Sequence, residues 1–294
     1  MRDSAVDAGA ILFDKNLSTD FISKEGKKIG IKTKSSEGIK EYYGKLFVIA
    51  EGMSSRLAIR SGLRKKWKIE EIALSKCAIM EGDNQLNENL IYIYFKPFKG
   101  YGWIFPMGKK RFNIGVYTFS EDNLIYNLHE VYAEFLNNPN IQKYVKSSSC
   151  KTIWSGAYPF PVTGILDKSL YDDNLLLVGD VGGFISPING EGIHTAIASG
   201  KAAGEIANDS LEKEDYSKNV LRKYKTHPDI KEISRTFKLK SSMMKFFYEN
   251  EGRNLNRMLE IAEQDKEFRE QVMGMFISKS KGAPPKEFFM RITS

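Results

Sequence analysis

A glycine-rich loop between a short apolar run and a helix of small residues is the feature of this chain best suited to chemistry. Leu175–Val178 is an unbroken apolar run, as expected for a strand covered on both faces, and it leads into Gly179 and Asp180. Asp180 would then lie at the carboxyl end of the strand, where open α/β sheets bind their ligands. A carboxylate at that position can accept hydrogen bonds from a sugar-like chain of hydroxyls, such as the ribityl chain of a flavin.

The loop after Asp180 is built to bring backbone against a flat ring. Its glycines permit close approach, and Pro187 stiffens the chain between them. These glycines are Gly182, Gly183, Gly190 and Gly192. A helix predicted from Gly192 onward points its unpaired N–H groups and the positive end of its dipole at whatever lies before it. The segment therefore predicts contact with a flavin ring, which gains negative charge on reduction; an ordinary loop before a well-packed helix is the alternative.

A second segment carries aromatic side chains at alternate positions. Within GYGWIFP, at residues 100–106, Tyr101, Trp103 and Phe105 fall on one face of a predicted strand. Such a wall can line a slot for a long isoprenoid chain, whose affinity would come from apolar burial at about 25 cal/mol per Å². Ordinary core packing is the alternative for this segment taken alone.

Three segments together resemble the geranylgeranyl reductase family of FAD-dependent oxidoreductases. Residues 179–193, GDVGGFISPINGEGI, resemble the second flavin motif of that family. Residues 100–106, with the strand around 113–116, resemble its Tyr-x-Trp-x-Phe-Pro motif. Residues 48–58, VIAEGMSSRLA, are similar to the Ala-Asp-Gly-x-x-Ser segment of the wider hydroxylase-like flavoprotein superfamily. Their order and spacing agree over nearly the whole chain.

The resemblance implies FAD as cofactor and a prenyl lipid as substrate. The residues it assigns to the ribityl chain and the flavin ring are Gly179, Asp180, Pro187, Gly190, Gly192 and Ile193. Backbone near Leu17 and the Glu51–Gly52 turn would face the adenosine and pyrophosphate. The lipid slot would be lined by Tyr101, Trp103, Phe105 and Pro106. Two positions depart from the family pattern: Glu51 replaces an Asp, and Val181 replaces a small Ala.

The activity implied is reduction of C=C bonds in geranylgeranyl chains of membrane-lipid precursors, with the electron donor left open between NAD(P)H and a ferredoxin. No catalytic residue is assigned from the sequence. His194 follows the flavin loop, but its place in the first turn of a helix favours a structural or solvent-facing role. Two alternatives stay open: an FAD-dependent monooxygenase or halogenase of the same superfamily, and an inactive fragment or subunit of a split flavoprotein.

The start of the chain departs most from the family. Residues 1–10 resemble the end of a helix that the family places well inside its sequence. We therefore expect the first βαβ unit to be missing, with its Gly-x-Gly-x-x-Gly turn and the acidic residue for the adenosine ribose. Gly190 and Gly192 do not replace that turn, because Thr195 occupies its last position. A partner chain supplying the dinucleotide motif is one way to complete the site.

Composition agrees with a globular chain of 294 residues that carries 44 basic and 37 acidic side chains, a net charge of +7. The charge suits anionic phosphates or lipid headgroups, whereas the scattered basic residues do not favour nucleic acid. Cys77 and Cys150 lack the spacing of a metal site or a redox pair, so we expect buried, reduced thiols and no metal. We see no signal peptide and no apolar run of about 18 to 20 residues, and expect a cytoplasmic chain that can contact the inner face of the membrane.

The elements that position these residues predict a mixed α/β fold. Strands are expected at 9–13, 45–50 and 175–178, a one-face-covered antiparallel sheet across 69–119 with 149–158, and helices at 124–136, 219–224, 230–248 and 255–277. The fold class is the FAD/NAD(P)-binding flavoprotein fold without its first βαβ unit. The predicted domains are the remainder of an FAD-binding domain (1–64), a substrate sheet (65–160), the second flavin motif (161–212) and a helical region (213–294).

Overall fold

The computed structural model of the chain describes residues 1–95, 100–120, 127–165, 170–276 and 284–293. The chain divides into two compact units. The first unit comprises Met1–Lys66, Asp167–Gly182 and Ala196–Lys231, and the second unit comprises Trp67–Leu166, Gly183–Thr195 and Glu232–Ser294. The helices after residue 231 thus share a unit with the antiparallel sheet. Each unit is described by itself below.

The first unit contains two small sheets. One is an antiparallel meander of β1 (Leu17–Lys24), β2 (Lys27–Ser35) and β3 (Gly38–Tyr43). The other has the order β10 (Tyr171–Asp172), β11 (Leu175–Leu177) and β4 (Phe47–Ile49), with β11 and β4 parallel. Around them lie α1 (Arg2–Asp7), α2 (Arg56–Arg60), α6 (Lys218–Leu221), α7 (Lys223–Thr226) and most of α5 (Ile193–Glu212).

The core of the first unit forms because the apolar runs of β4 and β11 meet the buried face of α2. Leu175 and Leu177 are fully buried, and they pack with Phe47, Ile49 and Leu57. This core fixes the carboxyl end of β11, from which the Gly179–Asp180 turn follows. The predicted strand at 175–178 is confirmed apart from its last residue.

The second unit is built on one antiparallel sheet of five strands. They are β5 (Ile72–Glu81), β6 (Tyr92–Phe95), β7 (Gly100–Pro106), β8 (Arg111–Phe119) and β9 (Lys151–Pro161), in the order β6-β7-β8-β5-β9. α3 (Leu128–Asn137) and α4 (Pro139–Gln142) cover one face, where Phe135 of α3 packs among Ile104, Phe112 and Ile114. Gly102 is required beneath Phe135, since a Cβ there would lie 2.4 Å from the Phe135 ring.

The remaining helices of the second unit form a core of their own. They are α8 (Pro228–Tyr248), α9 (Arg253–Gln264), α10 (Lys266–Phe276) and α11 (Lys286–Thr293), and α8 begins in the first unit. Phe247, Met258, Phe268 and Phe288 are each almost fully buried in this core. None of the helices in the described ranges has both the length and the apolar composition needed to cross a bilayer.

Two sequence predictions of elements are wrong, and the helix predicted at 219–224 is divided at Arg222 into α6 and α7. Residues 9–13 form no strand: no partner strand pairs with them within the described part of the chain, and Ile11 remains 78% exposed. The single helix predicted at 255–277 is two helices separated at Asp265, whose carboxylate accepts a hydrogen bond from the Phe268 N–H at 3.0 Å. Both α9 and α10 have apolar faces with the same helical periodicity, so the sequence pattern does not reveal the break between them. Residues 124–126 of the predicted helix at 124–136, and residue 277, lie outside the described residues.

Candidate active site

The Gly-Asp turn lies in the first unit, directly after β11. Gly179 has a positive φ of 65°, and its N–H donates a hydrogen bond to Ser199 Oγ at 3.1 Å. Asp180 follows in a single turn of 3-10 helix and is half-buried. Burial raises the pKa of the Asp180 carboxyl, and a hydrogen bond from its own backbone N–H opposes that rise. The Asp180 carboxylate therefore lies just after the carboxyl end of β11, as the sequence predicts. That it binds the ribityl hydroxyls of a flavin stays a prediction.

Glu51 has a role that the sequence did not predict. Its two carboxylate oxygens accept hydrogen bonds from the N–H groups of Leu57 and Ala58, at 3.0 and 2.8 Å. Glu51 thus caps the amino terminus of α2, where a negative charge is favourable. Gly52 has a positive φ of 61°, and a Cβ added to it would meet no atom within 4 Å. The turn can offer backbone to a ligand, while the carboxylate is committed to α2. Leu17, the first residue of β1, is 55% exposed.

The rest of the loop, residues 183–192, belongs to the second unit and closes on itself at Ser186. The Ser186 N–H donates to the Glu191 carbonyl at 2.8 Å, and the Ser186 carbonyl accepts from the Gly190 N–H at 2.9 Å. Pro187 is buried between these positions. After the loop, Ile193 begins α5 with 77% of its surface exposed.

The glycines of this loop are required by packing inside the second unit. A Cβ on Gly183 would lie 2.2 Å from the Gly164 carbonyl oxygen, and Gly183 also has a positive φ of 78°. A Cβ on Gly192 would lie 2.9 Å from the Ile185 side chain. Gly190 has a positive φ of 65° and would place a Cβ 3.0 Å from the Phe160 ring. These contacts hold the loop backbone against its own unit.

A cavity of about 1090 Å³ lies entirely within the second unit. One wall is the sheet face that carries Tyr101, Trp103 and Phe105, and the opposite wall is formed by α9 and α10. The residues that these helices contribute are Leu259, Ala262, Glu263, Arg269, Val272 and Met273. The loop closes one side with Asn189, Gly190, Glu191 and His194. Pro106, predicted to line the slot, lies at the end of β7 and is not among the lining residues.

The aromatic wall is held in place by hydrogen bonds and ring contacts. Trp103 Nε1 donates to Asn113 Oδ1 at 2.7 Å, and its ring stacks on Phe105 with centroids 6.0 Å apart. Gly115 lies beneath the indole, since a Cβ there would come within 2.3 Å of it. The Tyr101 hydroxyl donates to the Asn189 carbonyl at 2.6 Å, so this wall residue also anchors the loop.

Sequence reasoning missed three residues that share this wall. Tyr117 donates to the Ile188 carbonyl at 3.3 Å, Asn113 holds Trp103, and Phe160 contacts Gly190. Asn113 and Tyr117 stand at alternate positions of β8, which pairs with β7. Applying the same period of two to β8 as to β7 would have placed both on the cavity face.

The phenols and the thiol that line the cavity stay protonated near neutral pH. Burial raises the pKa of Tyr101 and of Tyr117 well above the usual value, and that of Tyr94 to about 12. Burial also raises the pKa of the Cys77 thiol, against a hydrogen bond from Asn113 that lowers it.

Glu191 and His194 pair at the loop end of the cavity. Glu191 accepts a hydrogen bond from the His194 N–H at 3.0 Å, and its other oxygen pairs with His194 Nδ1. The imidazole, in the first turn of α5, is therefore held by a carboxylate from the preceding loop. No cluster of three or more metal-ligating side chains occurs within the ranges that the structure describes.

No family model matches the chain, but curated proteins do. It is 26% identical over 264 residues to digeranylgeranylglycerophospholipid reductase 2 of Methanopyrus kandleri, covering 89% of this chain and 66% of that protein. It is 33% identical over 236 residues to digeranylgeranylglycerophospholipid reductase of Methanococcus vannielii, covering 73% of this chain and 58% of that protein. The chain thus spans less than two thirds of the length of these relatives. The predicted resemblance to the geranylgeranyl reductase family is confirmed.

Solved structures confirm the predicted fold class. A geranylgeranyl bacteriochlorophyll reductase-like protein of Thermoplasma acidophilum superposes with a TM-score of 0.77 at 22% identity, covering 92% of this chain and 72% of that one. A flavin-dependent brominase superposes with a TM-score of 0.69 at 17% identity, covering 91% and 67%. The chain has the α/β fold of FAD-dependent oxidoreductases with an antiparallel sheet, and the expected flavin agrees with the brominase's description.

Proposed function

We propose that this chain forms the substrate cavity and the flavin-ring loop of an FAD-dependent reductase that saturates geranylgeranyl chains of isoprenoid lipid precursors. The observation that carries the proposal is the apolar cavity, walled by aromatic rings, that ends at the glycine loop. Its volume of about 1090 Å³ lies just above the roughly 300 to 1,000 Å³ typical of ligand pockets. Such a cavity suits a long branched hydrocarbon, because its affinity would come from apolar burial.

The loop backbone at the cavity supports the proposal of a flavin there. Gly190 lines the cavity, with its backbone held by the Phe160 ring and the turn at Ser186. Gly179, Asp180, Pro187, Gly190, Gly192 and Ile193 are proposed for the ribityl chain and ring, and Leu17, Glu51 and Gly52 for the nucleotide side. When bound, reduced FAD supplies hydride to one carbon of the double bond.

The chain's own residues would orient the double bond and provide the proton for its other carbon. Tyr101, Trp103 and Phe105 form a rigid wall that excludes water and fixes the isoprenoid chain. His194 is the proposed proton donor, because it lines the loop end of the cavity and its Nδ1 pairs with the Glu191 carboxylate. The Tyr101 hydroxyl already donates to Asn189. After the transfer, the neutral imidazole regains its proton from solvent.

Reconstitution under anaerobic conditions tests this function. The protein is loaded with FAD, reduced with dithionite, and incubated with a digeranylgeranylglyceryl phospholipid, and mass spectrometry follows the gain of two hydrogens per bond. Trp103→Ala should lose activity mainly through a raised KM, since it removes the wall. Trp154→Ala is the matched control, because Trp154 lies in the same sheet on β9, is 43% exposed and does not line the cavity. A His194→Gln variant should lower kcat by about 10² or more with KM little changed.

A flavin-dependent halogenase or monooxygenase is the second candidate, favoured by the fold shared with the brominase. The same protein incubated with oxygen distinguishes the two. Oxygen-dependent hydroxylation or halogenation of an aromatic, with no anaerobic saturation of the prenyl chain, would contradict the reductase.

The partners follow from the same proposal. NAD(P)H and a ferredoxin are the candidate electron donors, and stopped-flow flavin reduction by each separates them. A lipid substrate also favours peripheral contact with the inner face of the cell membrane, which vesicle sedimentation measures. If the chain stays colourless after incubation with FAD, a partner chain supplying a dinucleotide motif is required for activity.

A further inference from the structure

Lys240 of α8 is a buried lysine that no motif of the sequence singled out. It is 5% exposed, and its Nζ donates a hydrogen bond to Ser186 Oγ at 3.3 Å. Burying an ammonium group costs free energy unless the charge has partners. Ser186, which accepts this hydrogen bond, lies on the glycine loop, so the ammonium of Lys240 contacts the loop directly.

Ser186 is the residue at which the loop closes. It is fully buried, and its backbone exchanges hydrogen bonds with Glu191 and Gly190 at 2.8 and 2.9 Å. Burial lowers the pKa of the Lys240 ammonium, and the nearby Glu191 carboxylate opposes that fall. A side chain that fixes Ser186 therefore fixes both ends of the closing turn, 186–191.

The same face of α8 holds the loop a second time through apolar packing. Met243 and Phe247 follow Lys240 by three and seven residues, so they share its side of the helix. Both belong to the buried cluster that contains Ile188, the loop residue two positions after Ser186. α8 thus contacts the loop twice, through a hydrogen bond to Ser186 and through apolar packing against Ile188.

We propose that Lys240 is a positioning residue of the glycine loop. Its ammonium holds the closing turn in the shape that presents Gly190 and Glu191 to the cavity, and Glu191 in turn holds His194. The loop requires the charge of Lys240 and not only its bulk. This inference rests on the proposed function for its effect on flavin and substrate, whereas its effect on the loop can be measured without either.

Hydrogen exchange of the protein without added cofactor tests the loop directly. Lys240→Met keeps most of the length of the side chain and removes its charge. Losing a hydrogen bond to a charged group should speed exchange of the amides at 184–193 by about tenfold or more. The melting temperature should change little, because the lost hydrogen bond is offset by no longer burying an ammonium group. Lys240→Arg should restore part of the protection.

Lys245→Met is the matched control, since Lys245 is an exposed lysine on the same helix. In this variant the amides at 184–193 should exchange as in the wild type. Unchanged loop exchange in Lys240→Met would overturn the proposal. A fall in melting temperature with faster exchange throughout the chain would also overturn it, by making Lys240 a general structural residue.

Flavin fluorescence provides a second measurement: Lys240→Met should weaken FAD binding about tenfold. A wild-type protein that binds no FAD would count against the proposed function and leave the exchange result intact.

Discussion

At the scale of single residues, the glycines of the loop show how one sequence pattern can have two causes. The sequence predicts them as clearance for a flat ring. In the structure, Gly183 and Gly192 already meet protein atoms that leave no room for a side chain, the Gly164 carbonyl and Ile185. The pattern therefore specifies the shape of the loop, and the loop shape is what presents Gly190 to the cavity.

Asp180 carries a prediction with a definite pH dependence. Because burial raises its pKa above the ordinary 3.8, the native state binds more protons than the unfolded state as pH rises past that value. By linkage, the ionised carboxylate then costs stability at neutral pH. Asp180→Asn should raise the melting temperature at pH 7, and the gain should vanish as pH falls below 3.8. If Asp180 binds ribityl hydroxyls, the same variant should bind FAD more weakly.

Thermal unfolding across pH checks this prediction, with Asp14→Asn as the control. Asp14 is an exposed carboxylate, so its variant should melt like the wild type throughout. A lower melting temperature for Asp180→Asn at pH 7 would mean that the charge of Asp180 is stabilising, which contradicts the argument from burial.

The residues of the site differ in how far the sequence could predict them. Alternation along β7 correctly places Tyr101, Trp103 and Phe105 on the cavity side, because strand geometry is a local property. The hydrogen bond from Tyr101 to Asn189 joins positions 88 residues apart, and Lys240 reaches Ser186 across 54. Such contacts depend on how elements pack, which no local pattern specifies.

At the scale of elements, the break between α9 and α10 shows the same limit. Asp265 ends one helix and begins the next, with a φ of −118° and a ψ of 112°. Aspartate is among the preferred residues for capping a helix start, yet a single Asp within an apolar helical pattern is a weak signal. The strand predicted at 9–13 failed for a related reason, since a strand is stable only where a neighbour pairs with its backbone.

The cap at Asp265 can be tested by substitution. The Phe268 N–H and then Arg291 lower the pKa of the Asp265 carboxyl, so its contribution is present above 3.8 and is lost as pH falls through the lowered pKa. Asp265→Ala should lower the melting temperature at pH 7, and the difference from wild type should shrink in strong acid. Asp265→Asn should lose less, because Asn also caps helices well.

Glu260→Ala provides the comparison for this cap. Glu260 lies on the exposed side of α9 and pairs with Arg257 at 3.3 Å, a surface ion pair of a kind that contributes little. We expect its melting temperature to stay close to the wild type. Equal losses in Glu260→Ala and Asp265→Ala would argue that general surface charge, and not the cap, stabilises this region.

At the scale of the whole molecule, the fold class and the antiparallel sheet could be predicted from the sequence, because motifs and strand-like runs extend over many residues. All five strands of the second unit were expected near their observed positions, because each contains β-branched or aromatic residues. The cavity could not be predicted from these patterns, because its second wall comes from α9 and α10, which are far along the chain from β7. Periodicity identifies the apolar face of each helix but not the sheet against which it packs.

The confinement of the cavity to the second unit leads to a prediction about ligand binding. Every residue that lines it belongs to that unit, so a prenyl chain should bind without FAD. Geranylgeraniol at about 100 times its Kd should stabilise the protein by about 2.7 kcal/mol, measured as a rise in melting temperature. Geraniol, two isoprene units shorter, should bind more than about tenfold more weakly, because each buried methylene contributes about 0.8 kcal/mol.

Variants locate this binding within the molecule. Trp103→Ala should abolish most of the stabilisation by geranylgeraniol, whereas Trp154→Ala should retain it, because only Trp103 lines the cavity. An equal shift with geraniol and geranylgeraniol would show that the alcohol acts on exposed apolar surface and not in a slot that measures chain length. Chain-length dependence without FAD would instead establish that the second unit recognises the isoprenoid by itself, so that loss of flavin binding and loss of lipid binding can be assigned to different parts of the chain.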